Sequence, residues 1–244
     1  MNINYFNNID DPNKAYVIGF FLGDGHLGDS SKCDYGITFT QSVKDVDVLY
    51  YLKDQFETEK DIRIVNSDGY GQNKSKIGIL RITNWRLHTM LSKITNVTKR
   101  KSYESFSMPS IPDKYIPDFI RGYFDSDGCI SFSCYIQNVK RKDGTTRQKK
   151  TAGFKWFICA KNKNILEELL QWFKKHDINL SIVYEKRKDF YYLQTGSKKE
   201  ILKIQKLIYR NGYFCIKRKF DKYKYATLTP SELWKSKDSQ PCNA

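Results

Sequence analysis

Two aspartates, Asp24 and Asp127, close apolar runs of the same design. The first run is Tyr16-Val17-Ile18-Gly19-Phe20-Phe21-Leu22-Gly23-Asp24-Gly25, and the second is Phe119-Ile120-Arg121-Gly122-Tyr123-Phe124-Asp125-Ser126-Asp127-Gly128. Each carries small residues four apart, Gly19 with Gly23 and Gly122 with Ser126, and each ends in Asp-Gly. An acid at the C-terminal end of a helix sits against the negative pole of the backbone dipole. If the two runs are helices packed through their small faces, the two carboxylates also lie close enough to repel. A divalent cation held by oxygen ligands offsets both penalties, so the chemistry these residues point to is metal binding.

The elements that must position these acids repeat along the chain. Asp11-Pro12 and Pro117-Asp118 supply the proline and acid signals of helix starts, which predicts helices over about 13–22 and 118–126. Tyr35 to Thr40 reads as a strand and about Lys44 to Phe56 as an amphipathic helix. In the second half, Phe154 to Ile158 and Asn164 to Phe173 repeat that order. Leu80 to Thr83 precedes a helix over Trp85 to Ile94, as Tyr191 to Gln194 precedes Lys199 to Tyr209. Repetition at this scale predicts two similar lobes related by a pseudo-twofold axis. The expected boundaries are a first lobe at 1–101, an extended linker at 102–116 containing Pro109 and Pro112, a second lobe at 117–229 and a loose polar tail at 230–244.

Asp127 follows Asp24 by 103 residues, but Lys217-Arg218-Lys219 follows Lys99-Arg100-Lys101 by 118. Fifteen extra residues therefore fall between Gly128 and about Phe157 in the second half. That segment runs from Gln137 to Lys150, holds Asp143-Gly144, a strong hairpin-turn pair, and is basic. It predicts a protruding β-ribbon of the kind that fits the major groove of duplex DNA.

Composition supports a polyanionic partner. Lys and Arg number 42 against 27 Asp and Glu, a net +15, on a chain that 17 Tyr and 15 Phe equip with a real core. Six Cys without a C-x-x-C pair and only three His argue against a zinc finger or redox centre. They fit a reducing intracellular compartment: bacterial or phage-infected cytoplasm, or an organelle matrix. No secretion signal is legible at the N-terminus, and the longest apolar run is too short to span a bilayer. A composition rich in Lys, Asn, Tyr and Ile points to an AT-rich genome.

At these residues the chain resembles the LAGLIDADG homing endonuclease family in its single-chain, two-motif form. Ile120 to Gly128 follows that nine-residue pattern closely. Val17 to Gly25 departs from it at Leu22, where the pattern has its earlier Asp. The resemblance extends over roughly Asp11 to Tyr225. It implies an α+β fold of two αββαββα lobes, packed through the motif helices, each presenting a curved antiparallel sheet to the major groove. It implies magnesium-dependent cleavage of both DNA strands with short 3′ overhangs by a monomer, with Asp24 and Asp127 as metal ligands and catalytic acids. Calcium would be expected to support binding without cleavage.

Further roles follow from the same resemblance. Lys99 and Lys217 take the place of an active-site lysine in each lobe, with Lys101 and Lys219 as alternates. Gln41 takes that of a water-positioning residue, and its counterpart falls among Ile158, Cys159 and Ala160. Asp125 takes a bridging position rather than a metal-binding one, and His26 is left unassigned. Alternation along the strands puts Thr38 and Thr40 on a solvent face. Arg63, Lys74, Lys76 and Arg81 are further DNA-contact candidates in the first lobe. In the second they are Lys140, Arg141, Lys142, Arg147, Lys149, Lys155, Lys186, Arg187 and Gln194. Unlike lobes imply an asymmetric target of about two helical turns. Two other readings use the same scaffold: an RNA maturase assisting splicing of its intron, and a catalytically silent DNA-binding regulator. Both motif acids are retained, which favours cleavage.

Overall fold

The computed structural model describes residues 1–67, 75–98, 106–210 and 212–238. The first lobe runs α1 (Pro12–Asp24), β1 (Gly25–Leu27), β2 (Gly36–Ser42), α2 (Asp47–Gln55), β3 (Arg63–Ser67), β4 (Ser75–Thr83) and α3 (Trp85–Thr95). The second repeats this order as α4 (Ile116–Asp127), β5 (Gly128–Lys140), β6 (Thr146–Ala160), α5 (Lys163–Lys175), β7 (Ser181–Glu185), β8 (Phe190–Thr195) and α6 (Lys198–Ile208). Each lobe holds a four-stranded antiparallel sheet, ordered β1-β2-β4-β3 and β5-β6-β8-β7. The αββαββα order is present in both halves.

Local chemistry accounts for the helix ends. The Asp11 carboxylate accepts from the Asn13 amide at 2.6 Å with Pro12 at the first turn, starting α1 one residue earlier than expected. Asn84 caps α3 through the Leu87 amide at 3.0 Å, and Asn96 closes it in the left-handed region. Both motif helices run through their aspartates, and Gly25 and Gly128 turn the chain directly into the first strand of each sheet. The residues from Ala15 to Leu22 are all buried, because α1 is covered by the sheet on one side and α4 on the other.

The pleat fixes which residues look toward the helices. Ile37 and Phe39 on β2 pair with Ile82 and Leu80 on β4, and all four are fully buried. Trp156, Ile158 and Leu193 do the same in the second sheet. The registers correspond: Gly25 pairs with Phe39 as Gly128 pairs with Ile158.

The extra length in the second half is the expected ribbon. β5 and β6 stay paired without a break from Gly128–Ile158 to Lys140–Thr146. The loop closes at Gly144, with φ +81°, while Asp143 accepts from the Thr145 amide at 2.9 Å.

The tail differs from expectation. Residues Pro230–Asp238 form a helix, α8, preceded by α7 (Lys217–Phe220) and a 3-10 stretch at Asp221–Thr227. The reason is a capping box. The Thr229 amide donates to Glu232 at 2.7 Å, and the Glu232 amide returns a bond to the Thr229 hydroxyl at 3.3 Å, with Pro230 between them. That Thr-Pro-Ser-Glu sequence is a helix start that polarity alone conceals. Among the described residues no helix is long and apolar enough to cross a membrane.

Candidate functional site

The motif helices α1 and α4 touch backbone to backbone. A Cβ on Gly19 would fall 2.0 Å from the Phe119 carbonyl oxygen, and one on Gly122 would fall 2.0 Å from that of Tyr16. At the far end, a Cβ on Gly23 would lie 3.2 Å from the Asp127 carboxyl carbon. Small residues therefore bring the ends of the two helices together. Asp24 and Asp127 are both half-buried there, at the start of their sheets.

The surroundings of the two acids are unequal. Gln41 lies on the same pleat side as Ile37 and Phe39, and its amide nitrogen donates to the Asp24 carboxylate. Matching registers make Ala160 the counterpart of Gln41, and Cys159 that of Thr40. No amide stands at that place in the second lobe. Instead Ala160 borders a cleft of about 210 Å³ whose walls include Gly23, Tyr123, Asp127 and Lys161. The Cys159 thiol contacts the Asp127 main-chain oxygen at 3.4 Å, and burial pushes that thiol up to about 11.

Lys219, which the resemblance offered only as an alternate, reaches the end of α4. Its ammonium donates to the carbonyls of Phe124, Asp125 and Ser126 at 3.0, 2.6 and 2.9 Å, covering the last turn of α4. It is a cation at the negative pole of the helix, so the chain itself supplies part of the positive charge that the paired acids require. Burial lowers its pKa, and the carboxylates of Asp125, Asp24 and Asp127 oppose that shift. Lys217, the expected lysine, is placed otherwise. Its side chain is 88% exposed and 3.9 Å from Asp221, because it opens α7 on the outer side of that turn. Lys99 and Lys101 lie outside the described residues. Lys219→Met should lower stability by about 2 kcal/mol, since it leaves three last-turn carbonyls without a charged donor. Urea unfolding measures this, and an unchanged midpoint would contradict the capping role.

Asp125 bridges the interface. Fully buried, it accepts from the hydroxyls of Tyr16 and Tyr209, each at 2.9 Å, and from the Ile216 amide at 2.8 Å. Burial raises its carboxyl pKa. Arg121, buried beside it, pairs with Asp118 at 2.6 Å and donates to the carbonyls of Phe214 and Ile208. The stretch after α6 then clasps the first lobe. Phe214 stacks on Tyr51 with ring centroids 4.2 Å apart, and Arg218 Nε donates to Asp45 at 3.0 Å. Sequence reasoning did not find Asp45 or Phe214, whose partners lie far away along the chain.

Pleat parity sorts the candidate contact residues. Thr38, Thr40, Arg63 and Arg81 share the face of the first sheet turned away from the helices. Arg81 is held there by Asp34 at 2.6 Å and by Thr38 at 3.2 Å. Lys76 differs: it stands on the same pleat side as Leu80 and Ile82, toward the helices. Lys74 lies outside the described residues. In the second sheet Arg147, Lys149, Lys155 and Gln194 share the outward face. Lys140 falls on the opposite one, paired with Thr146 and in line with Ile130. Arg141 and Lys142 lie in the ribbon tip, and Lys186 and Arg187 lie in the turn between β7 and β8.

Comparison with known proteins bears on the fold. No family model matches the chain. A stretch of 126 residues is 28% identical to a tRNA-splicing ligase RtcB of Pyrococcus furiosus, covering 48% of this chain and 13% of that protein. The chain thus spans only a small part of that relative. Solved structures are far more similar in shape. The I-LtrWI LAGLIDADG homing endonuclease bound to target DNA superposes with TM-score 0.59 at 14% identity, covering 96% of this chain and 92% of that one. The LAGLIDADG meganuclease I-AabMI bound to uncleaved DNA gives 0.57 at 14%, covering 93% and 92%. I-SmaMI bound to uncleaved DNA with calcium ions gives 0.55 at 12%, covering 95% and 94%. The fold is that of the single-chain, two-lobed LAGLIDADG endonucleases.

Proposed function

We propose that a chain with this fold and these paired acids is a site-specific DNA endonuclease, cutting both strands of a long asymmetric duplex. The observation that carries the reading is the helix crossing: close packing at Gly19 and Gly122 delivers one carboxylate per lobe, Asp24 and Asp127, to a common point between two sheets. The outward faces of those sheets bear Arg63, Arg81, Arg147, Lys149 and Lys155, and the net charge of +15 suits a polyphosphate partner.

The donor set fits magnesium. Among the described residues no group of three or more His, Cys, Asp or Glu side chains could cage a metal. Single carboxylates completed by water and substrate phosphate are the habit of that ion. When bound, it would activate water and stabilise the leaving oxygen. The residues contribute the remainder. Asp24 and Asp127 hold the negative end of each site, Gln41 orients Asp24 and water near it, and Lys219 keeps positive charge beneath both acids. Short 3′ overhangs are part of this reading, as the family resemblance implies. Intron homing as the biological setting belongs to the same reading.

The two centres should work at different rates. The counterpart of Gln41 in the second lobe is Ala160, so the second strand is expected to be cut about tenfold more slowly, the worth of roughly one hydrogen bond. Supercoiled plasmid carrying the target would pass through a nicked form before becoming linear. Ala160→Gln, with the cleft beside it to fill, should shorten the life of the nicked form. Gln41→Ala should slow the first cut to the rate of the second. Nicked and linear products rising together in the unmodified protein would refute this.

The primary experiment selects cleaved sequences from a randomised duplex library in magnesium. Cleavage at one long asymmetric site supports the endonuclease. Tight binding to a structured intron RNA with no DNA cleavage would turn the reading toward a maturase.

A further inference from the structure

Among the described residues the second lobe carries a device that the first lacks. From Lys155 outward the ribbon is only two strands wide, because β8 pairs with β6 from Trp156 to Ala160 alone. A hairpin standing alone in water is marginally stable. This one also exposes Tyr135 and Ile136 and carries Arg147, Lys149 and Lys155 on a single face. Like charges along one face add to the strain of an unsupported hairpin.

The support comes from behind. Phe132 packs on Tyr225 of the 3-10 stretch with ring centroids 4.4 Å apart. Farther out, α8 lies against both ribbon strands. Leu233 is fully buried there, the Trp234 indole nitrogen donates to the Thr151 carbonyl at 3.3 Å, and Lys150 sits 5.0 Å over the Trp234 ring. Lys150 shares its pleat side with Ile130 and Trp156, which point to the core. α8 therefore touches the back of the ribbon and leaves the face of Arg147, Lys149 and Lys155 open. At the root of α8, the Lys198 ammonium donates to the Leu228 carbonyl and ties it to α6. The brace lands midway along the free part of the ribbon, opposite Tyr135.

We propose that α8 is a strut that holds the basic face of this ribbon in the DNA groove, so that the second lobe reads a longer half-site than the first. The inference rests on the endonuclease reading for its partner, duplex DNA. It rests on geometry for the strut. Between the matched pairs Gly25–Phe39 and Gly128–Ile158 the second lobe has 16 more residues, eight per strand, which extends its reach by about 27 Å at ~3.4 Å per residue, somewhat less than one turn of duplex. The cations at the tip, Arg141 and Lys142, face a single acid, Asp143, so the tip suits phosphate.

Two variants of the 244-residue chain test it, Trp234→Ala and a chain ending at Thr229. The first readout needs no DNA. Trypsin should cut within 140–150 several-fold faster in both variants, while thermal unfolding of Trp234→Ala stays near that of the unmodified protein. The second readout is hydroxyl-radical footprinting in calcium on the selected site. Protection should recede from the outer end of the second half-site only, and the slope of log affinity against log salt should flatten by about 2–3, at ~0.9 per lost phosphate contact. Unaltered proteolysis and footprint in both variants would overturn the strut. An unmodified protein that leaves no footprint on any duplex would overturn the endonuclease reading and the long half-site with it, and trypsin would still report on the strut alone.

Discussion

Asp24→Asn and Asp127→Asn should each abolish formation of linear product, and the double variant should make no cut at all. Each acid serves one strand, so a single variant retains at most a nick in the other. Loss of a metal's charge stabilisation is worth several kcal/mol, which corresponds to about three decades or more in rate for the affected strand. Folding should not suffer. Both carboxylates sit at the negative ends of helices and near one another, so neutralising one removes an unfavourable interaction. The expected pattern is loss of cleavage, retained DNA binding in calcium, and an unfolding temperature equal to or above that of the unmodified protein. Strand-resolved gels and calorimetry read both halves of this. A variant that still cuts both strands at an undiminished rate would remove these aspartates from the chemistry.

The second large effect concerns the crossing itself. Gly19→Ala and Gly122→Ala each place a methyl group 2.0 Å from a main-chain oxygen of the opposite helix. Neither obstacle is the flexible end of a side chain, so the helices must separate by about 1 Å. Their packing includes the buried network around Asp125 and Arg121. A cost of about 3 kcal/mol or more is expected from each, or roughly 6–12 °C in unfolding temperature for a chain of this size. Gly153→Ala is the control. Its methyl group would meet only the side chains of Ser133 and Tyr135 at 3.3 and 3.4 Å, and little change is expected. The interface variants should also lose cleavage faster than binding, since separating the helices moves Asp24 from Asp127. Interface variants as stable as the control would mean that the lobes are held together elsewhere.

Much of this molecule is written locally. Small residues four apart with a terminal Asp-Gly predict a close-packed helix ending in an acid, and that pattern occurs twice because the chain contains the lobe twice. Strand and helix positions followed from hydrophobic period, with limits shifted by a few residues where caps decided them. The length difference between the repeats located the ribbon. α8 was missed although its signal, Thr229-Pro230-Ser231-Glu232, was present: a capping box marks a helix even where no apolar stripe does.

Other features belong to the assembled structure. Lys217 and Lys219 are equally basic and two residues apart, yet only Lys219 turns inward to the α4 carbonyls. Which of them does so depends on how α7 is set against α4, and periodicity carries no information on that. The partner of Gln41 could be narrowed to three residues by aligning the halves. Cross-strand pairing was needed to identify Ala160, because a slip of one residue turns a side chain to the other face. The same parity took Lys76 and Lys140 off the outward faces. Sequence alone thus determined the repeated elements and the acids that end them, because helix caps, pleats and small-residue spacing act over a few neighbouring residues. Tertiary structure decided which cation and amide close around those helix ends and which residues clasp the two lobes, because such contacts join residues 17 to 173 positions apart through the packing of whole elements.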